Sequence, residues 1–307
     1  MPEPPERARR IHDRHGLARA ASSSLNGAME GTRLGPYKLL AELGTGGMGR
    51  VYRAEVVDAV PGLEPGSTVA VKVIHAHLLE TPGFFKRFLR EADLGRTIEH
   101  ENVVRTYDCD ALLHEGTQQN FLVMEFVEGQ TLRDLLKELG RVPEALCRHV
   151  GREVAKGLAA IHEAGVVHRD LKPENVLITP GHDVKVMDLG VARLQAEAVR
   201  LSQTGAFVGS LAYAAPEQLR APDPEPDERT DLHALGVVLY ELATGQHPFQ
   251  GDDLSTVVRR ILDETPRRAG ELNPQLSPFF EELVQRLVDK DREKRLGPAR
   301  EVAAVLE

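Results

Sequence analysis

The sequence predicts an α+β fold in two unequal parts, a small antiparallel sheet with one main helix followed by a larger helical region. Three stretches predict it. Tyr37–Leu43 and Val51–Val56 carry apolar residues at the alternation of half-buried strands, on either side of Gly44-Thr45-Gly46-Gly47-Met48-Gly49. Asp231–Ala243 is apolar on nearly every side, as a fully buried helix must be. Between these lies a charge-dense octet, His168-Arg169-Asp170-Leu171-Lys172-Pro173-Glu174-Asn175. It is flanked by the apolar runs Gly165–Val167 and Val176–Ile178, which read as short buried strands. An acid, a base and an amide held so close together point to proton handling beside a metal.

Composition narrows the function classes. The chain has 307 residues, room for one large domain or two modest ones, and its 41% hydrophobic content can build a sizeable core. A formal charge of -9 argues against a general nucleic-acid binder. The two cysteines, Cys109 and Cys147, make neither a disulfide framework nor a zinc pattern, which fits a reducing cytosol. No apolar run reaches the roughly 18 residues of a membrane span, and no signal-peptide core opens the chain. Residues 1 to 30, rich in proline, arginine and serine, offer little to bury and read as a solvated tail. Met29 is a second place where translation could begin.

The remaining elements follow in order. The motif G-x-G-x-x-G joins two strands here, whereas a dinucleotide-binding fold places it before a helix. Its glycines let backbone N–H groups approach phosphate oxygens. Val69–Ile74 is an alternating, β-branched strand with a single lysine, Lys72, on the sheet face that faces the glycine turn. Asp58–Ser67, with its prolines and glycines, reads as a surface insertion, and His75 and His77 as a pair on one strand face without a third ligand nearby. Phe85, Phe88, Leu89 and Ala92 predict a helix over 82–97 that carries Glu91 among Lys86, Arg87 and Arg90. Strands are expected over 103–109 and 121–126, and a long amphipathic helix from Leu146, Val150, Val154, Leu158 and Ile161. Val184–Met187 reads as a strand that ends in Asp188-Leu189-Gly190, and residues 191–212 show little apolar periodicity.

The octet matches H-R-D-L-x-x-x-N. In order along the chain stand the glycine turn, Val69-Ala70-Val71-Lys72, Asp188-Leu189-Gly190 and Ala215-Pro216-Glu217. In these motifs the chain resembles the protein kinases from about Tyr37 to its end. Gly47-Met48-Gly49, Lys172–Asn175 and Ala215–Gln218 look most like bacterial Ser/Thr kinases of the eukaryotic type, and Lys172 points to Ser/Thr rather than Tyr specificity. The resemblance implies a two-lobed fold with an ATP cleft between the lobes: a tail over 1–36, a small lobe over 37–127 and a larger lobe over 128–307.

The resemblance also implies roles. Asp170 would accept or orient the proton of the substrate hydroxyl, and Lys172 would steady the transferring phosphate. Lys72, fixed by Glu91, would hold the ATP phosphates under the glycine turn. Leu43, Gly44, Gly46, Gly49, Val51, Ala70, Met124, Glu125, Val127 and Leu177 would enclose the nucleotide, with the backbone of Glu125 and Val127 on adenine. Asn175 and Asp188 would hold magnesium, with manganese as a substitute. Arg169 would bind a phosphate on Thr204 or Ser202 of the activation loop. Asp231 would accept hydrogen bonds from the catalytic-loop backbone, and Arg295 would pair with Glu217. Three positions depart from the pattern: Leu189 stands where phenylalanine is usual, Ser210 where the docking turn usually has threonine, and Gly95 at the helix position that usually stacks on that phenylalanine.

The implied activity is transfer of the ATP γ-phosphate to Ser/Thr hydroxyls of proteins, with autophosphorylation through a transient homodimer, in the cytoplasm. Neither nucleic acid nor a membrane segment in this chain is expected. The chain stops where such folds usually stop, so no sensor segment is expected within it. A pseudokinase scaffold is opposed by Lys72, Glu91, Asp170, Asn175 and Asp188 together. A small-molecule phosphotransferase would not be expected to carry the docking segment that ends at Glu217.

Overall fold

Two hydrogen-bonded sheets take up the extended backbone, and the alternation of side chains along each strand decides what each face carries. The computed structural model describes residues 29–80, 83–114, 117–189, 211–220 and 225–307, apart from the side chains of Arg87, Glu91 and Thr117. The chain divides into two units. One runs to Phe85 and resumes over Thr106–Phe126; the other comprises Lys86–Arg105 and Val127–Glu307.

In the first unit, β1 (Arg33–Leu34), β2 (Tyr37–Gly46), β3 (Gly49–Val56), β4 (Thr68–Ile74), β5 (Thr106–His114) and β6 (Thr117–Glu125) form one antiparallel sheet. Its order is β1-β2-β3-β4-β6-β5. Tyr37, Leu39, Tyr52, Val69, Val71, Val73, Phe121 and Val123 belong to the apolar core on one face. Val51, Ala70, Lys72 and Met124 alternate with them and share the other face. The register makes neighbours of them: Val51 lies across from Lys72, and Ala70 across from Met124. Strand β2 shifts register between Leu39 and Ala41 and between Glu42 and Gly44, and the skipped residues, Leu40 and Leu43, are its exposed leucines. Val60 and Leu63 of the expected insertion bridge to each other and pack on the core.

His75 and His77 are not on a strand. The partner strand β3 begins at Gly49, opposite Ile74, so the ladder has nothing to offer beyond that point. The chain turns into the short helix α1 (Ala76–Leu79), with His75 as its N-cap and the two imidazole rings stacked 5.5 Å apart. His75 N donates to Met48 O at 3.0 Å, and its Nε2 lies 3.2 Å from Gly46 O. No group of three or more metal-ligating side chains occurs among the described residues.

Helix α2 (Phe84–Gly95) is shorter at both ends than the spacing predicts, and it closes with Thr97 N on Leu94 O at 2.9 Å. The next strand starts at Thr106 rather than Val103 because the residues before it pair elsewhere. Val104 N donates to Val186 O and Val186 N to Asn102 O, both at 2.8 Å, while Asn102 Nδ2 reaches Val184 O at 2.9 Å and Glu153 Oε2 at 3.1 Å.

The second unit contains α3 (Leu132–Leu139), α4 (Glu144–Glu163), α5 (Pro216–Leu219), α6 (Glu228–Thr244), α7 (Leu254–Asp263), α8 (Ala269–Leu272), α9 (Pro278–Leu287) and α10 (Ala299–Val305). A small antiparallel sheet joins β7 (Gln130–Thr131), β8 (Val176–Ile178) and β9 (Val184–Val186) in that order. Helix α6 is the axis: every residue from Thr230 to Thr244 is buried. Asp227 caps its start by accepting from Arg229 N, and Gly245 ends it in the left-handed region, where a Cβ would lie 2.4 Å from Gly140 O. The run Gly165–Val167, expected as a strand, is instead the closing turn of α4. Gly165 takes a φ of 73° and Val166 N bonds back to Ile161 O at 3.2 Å. No helix among the described residues is long and apolar enough to cross a membrane.

Candidate active site

The site in the second unit is built on one buried carboxylate. Asp231 lies in the first turn of α6 and is 0% exposed. Such a group must find donors. Its Oδ1 accepts from Arg169 N at 2.7 Å, and its Oδ2 accepts from His168 N at 2.8 Å and lies 2.8 Å from His162 Nε2. These bonds hold a turn that L residues avoid: Arg169 has φ 64°. Such a conformation costs about 1–3 kcal/mol and persists only where its surroundings impose it. Asp188 sits in the same region, with φ 56°.

The buried imidazole of His168 carries the order onward. Its Nδ1 accepts from Asp170 N at 3.3 Å and its Nε2 lies 3.1 Å from Met187 O, so the ring proton belongs on Nε2. Asp170 then meets two donors: Lys172 Nζ reaches its Oδ2 at 2.8 Å, and Asn175 Nδ2 reaches the same oxygen at 3.2 Å and Asp170 O at 2.8 Å. A 3-10 turn over Pro173–Asn175 folds Asn175 back to make this contact. The hairpin β8–β9 pairs Val176 with Val186, and Met187 N donates to Asn175 O at 2.9 Å, which sets Asn175 beside the residue preceding Asp188. Asn175 is 5% exposed, and with its Nδ2 committed to Asp170 its Oδ1 is left as a hard oxygen donor. An amide oxygen and a carboxylate such as that of Asp188 are the ligand types that magnesium takes.

The end of α5 is fixed by a second buried pair. Arg295 grips Glu217 with both arms, Nη1 on Oε1 at 2.6 Å and Nη2 on Oε2 at 2.8 Å, while Thr230 Oγ1 adds a bond at 3.0 Å. Burial pushes the Glu217 carboxyl up, but the Arg295 bonds and charge outweigh it and hold the group below its ordinary value. One residue on, Gln218 Oε1 accepts from Ala215 N at 2.9 Å and Gln218 Nε2 donates to Arg169 O at 3.1 Å.

A cluster that sequence reasoning missed lies against the octet. Arg133 donates to Glu174 Oε1 and Glu241 Oε1, each at 2.8 Å, and to the Tyr213 hydroxyl, which in turn donates to Glu241. Burial works against the Arg133 charge, yet the two carboxylates keep it protonated more firmly than usual. Burial and the Glu241 charge push the Tyr213 phenol far up. No spacing rule links residues 133, 174, 213 and 241; the only signal was the acidic Glu174 inside the octet.

In the first unit, the expected nucleotide-binding residues lie on the sheet face opposite the Tyr37–Phe121 core and on its turn. Val51, Ala70, Lys72 and Met124 share that face; Leu43, Gly44, Gly46 and Gly49 flank or form the turn, and Glu125 ends β6. A Cβ at Gly44, Gly46 or Gly47 would meet nothing within 4 Å, whereas one at Gly49 would lie 2.1 Å from Val73 O. The packing therefore demands glycine only at Gly49, and the other three positions are open where a side chain would be. In the second unit, Val127 opens the segment Val127–Glu307 and Leu177 is half-buried on β8. Arg169 is exposed. The Glu91 side chain, Gly190, Ser202, Thr204 and Ser210 lie outside the described residues.

The model of the protein kinase domain matches residues 37–305. The chain is 34% identical over 270 residues to the serine/threonine-protein kinase PknB of Mycobacterium leprae, covering 88% of this chain and 42% of that protein. It is 38% identical over 279 residues to the serine/threonine-protein kinase pkn2 of Myxococcus xanthus, covering 89% and 32%. It is 38% identical over 271 residues to the serine/threonine-protein kinase PknL of Mycobacterium bovis, covering 88% and 65%. The chain thus spans less than two thirds of the length of these curated relatives.

Proposed function

The chain belongs to the protein kinase domain family, and on that premise we propose that it transfers the γ-phosphate of ATP to Ser/Thr hydroxyls of proteins. One observation carries the reading: Asp170, Lys172 and Asn175 form a single hydrogen-bonded cluster, on a loop anchored to buried Asp231 and bonded through Asn175 O to Met187 N, the residue before Asp188. The relatives are serine/threonine-protein kinases by name, which favours Ser/Thr as acceptors.

Phosphoryl transfer asks a protein mainly to position groups and neutralise charge. Asp170 accepts the proton of the attacking hydroxyl or orients that hydroxyl. Lys172, already bonded to Asp170 Oδ2, moves onto the transferring phosphoryl group and steadies it. Asn175 and Asp188 hold magnesium, which when bound neutralises the phosphate charge. Lys72 and the backbone of the glycine turn hold the phosphates, with Glu91 fixing Lys72. Residues 37–127 act as the nucleotide-holding lobe and 128–307 as the substrate lobe, with adenine on the backbone of Glu125 and Val127. Arg169 receives a phosphate placed on Thr204 or Ser202 by a second copy of the chain, and the protein works in the cytoplasm.

The test is mass spectrometry after incubation with Mg-ATP and a generic basic protein, with aminoglycosides and choline as alternative acceptors. Phosphoserine and phosphothreonine on the basic protein, and phosphate on Thr204 or Ser202, are expected. Transfer to the small molecules alone, or to nothing, overturns the reading.

A further inference from the structure

The Gln218 side chain makes two hydrogen bonds, and helix capping needs only one of them. At the third position of α5 its Oε1 accepts from Ala215 N at 2.9 Å, which satisfies a helix-start donor. The second bond leaves the helix: Nε2 donates to Arg169 O at 3.1 Å, across 49 positions of sequence. That oxygen belongs to the same peptide group as Asp170 N, whose hydrogen goes to His168 Nδ1. The preceding peptide presents Arg169 N, which Asp231 holds at 2.7 Å.

A left-handed residue such as Arg169 can relax by rotating either flanking peptide, so both must be held for the conformation to persist. Asp231 holds the peptide before it, and His168 and Gln218 hold the one after it. The second peptide matters for chemistry, because its plane sets the direction in which the Asp170 side chain leaves the backbone. Gln218 is the residue among these three that also bonds to the backbone of Leu211–Ala215, at Ala215 N.

We propose that Gln218 is a positioning residue: through the Arg169 carbonyl it sets the Asp170 peptide, and it ties the catalytic loop to the segment just before Glu217. The proposal rests on the kinase reading and adds a residue to it. The chemistry demands an amide, since one atom must accept from Ala215 N while the other donates to Arg169 O. A glutamate would accept equally well, but as an anion it would present an oxygen to an oxygen. Only when protonated would it regain the donor. A methionine keeps the length and makes neither bond.

The experiment uses the full chain with Q218M and Q218E, assayed with Mg-ATP and a generic basic protein from pH 5.5 to 8. It is paired with amide hydrogen exchange over His168–Asn175 without nucleotide. Q218M should lower kcat about 10- to 100-fold, the scale of a misplaced catalytic group. Its KM for ATP should stay within about twofold and its melting midpoint within about 2 °C of the parent. Exchange at Arg169 and Asp170 should quicken by about tenfold or more. Q218E should match Q218M across this pH range, because a glutamate of ordinary acidity, about 4.3, stays ionised throughout and offers no donor to Arg169 O. A kcat within about twofold of the parent in both variants overturns the proposal, as does a loss that follows a lowered melting midpoint or leaves exchange unchanged. If the parent itself transfers no phosphate, the kinase reading fails, and exchange in Q218M still decides whether Gln218 holds the loop.

Discussion

In the loop from His168 to Asn175, polar groups find partners inside the protein: Asp231 under the backbone, His168 on the Asp170 amide, Lys172 and Asn175 on its carboxylate, Gln218 on the Arg169 carbonyl. In the turn from Gly44 to Gly49, three glycines have open space where a side chain would be. Both regions read as short motifs, but on opposite physical grounds. The loop is specified by contacts that exist without any ligand. The turn is open at three of its glycines, where a side chain would meet nothing. Substitutions should therefore strike chemistry in the loop and stability in the buried pairs that hold it, and ligand binding alone at most of the turn.

The largest effect belongs to the loop's reacting group. Asp170→Asn keeps the shape and removes the proton acceptor, so kcat should fall by about 10³-fold with an unchanged melting midpoint; near-parental turnover would take Asp170 out of the mechanism. Arg295→Met tests the scaffold under α5. It leaves the Glu217 carboxylate buried without its bidentate partner, which should cost about 3–5 kcal/mol in urea unfolding, and an unchanged midpoint would break the contrast drawn above.

Acid provides a third test, specific to the second unit. His247 Nε2 is sealed from solvent, and burial lowers the group from 6.5 to about 4; burial also holds His233 well below 6.5. Between those values the unfolded chain binds protons that the folded chain refuses. Stability should be complete above pH 6.5 and fall as pH drops toward 4, with His247 alone contributing about 3 kcal/mol. Urea midpoints at pH 7 and 4.5 measure it, and His247→Asn should shrink the difference. The smallest effects compare glycines. Gly49→Ala drives a methyl into the Val73 carbonyl and should destabilise by about 1–3 kcal/mol. Gly46→Ala should leave the midpoint within about 0.5 kcal/mol and raise the KM for ATP several-fold. Equal behaviour of the two variants would erase the distinction.

What was legible in the sequence follows the same divide. The octet, the glycine turn and the buried α6 could be read because each is local: a motif, a spacing or a continuous apolar run. The failures came where a distant group captured the backbone. Val166 N turned back to close α4, so Gly165–Val167 formed no strand despite its apolar character. Val104 bonded to Val186, so the next strand began later than its β-branched residues suggested. His75 left the sheet because its neighbour strand had already ended. Gln218 and Arg133 are ordinary helix residues in sequence, and their partners lie 49 and between 41 and 108 positions away.

The pairing of Asn102–Val104 with Val184–Val186 bears on how the chain is made. A ribosome releases residue 102 well before residue 184, and the Asn102–Val184 bond spans 82 positions. At about 5–20 residues per second, the stretch from Lys86 to Arg105 waits several seconds for the strand it belongs to. The chain on both sides of that stretch, up to Phe85 and over Thr106–Phe126, is complete by then and can close its own sheet. Residues 86–105 are thus left as an excursion from the nascent sheet, with Ile98 and Val103, later core residues of the second unit, exposed in the meantime. A gene cut at residue 127 would make that exposure permanent in the first fragment. It would also leave the second fragment with an unfilled gap beside Val186. No single cut of the chain keeps both units whole.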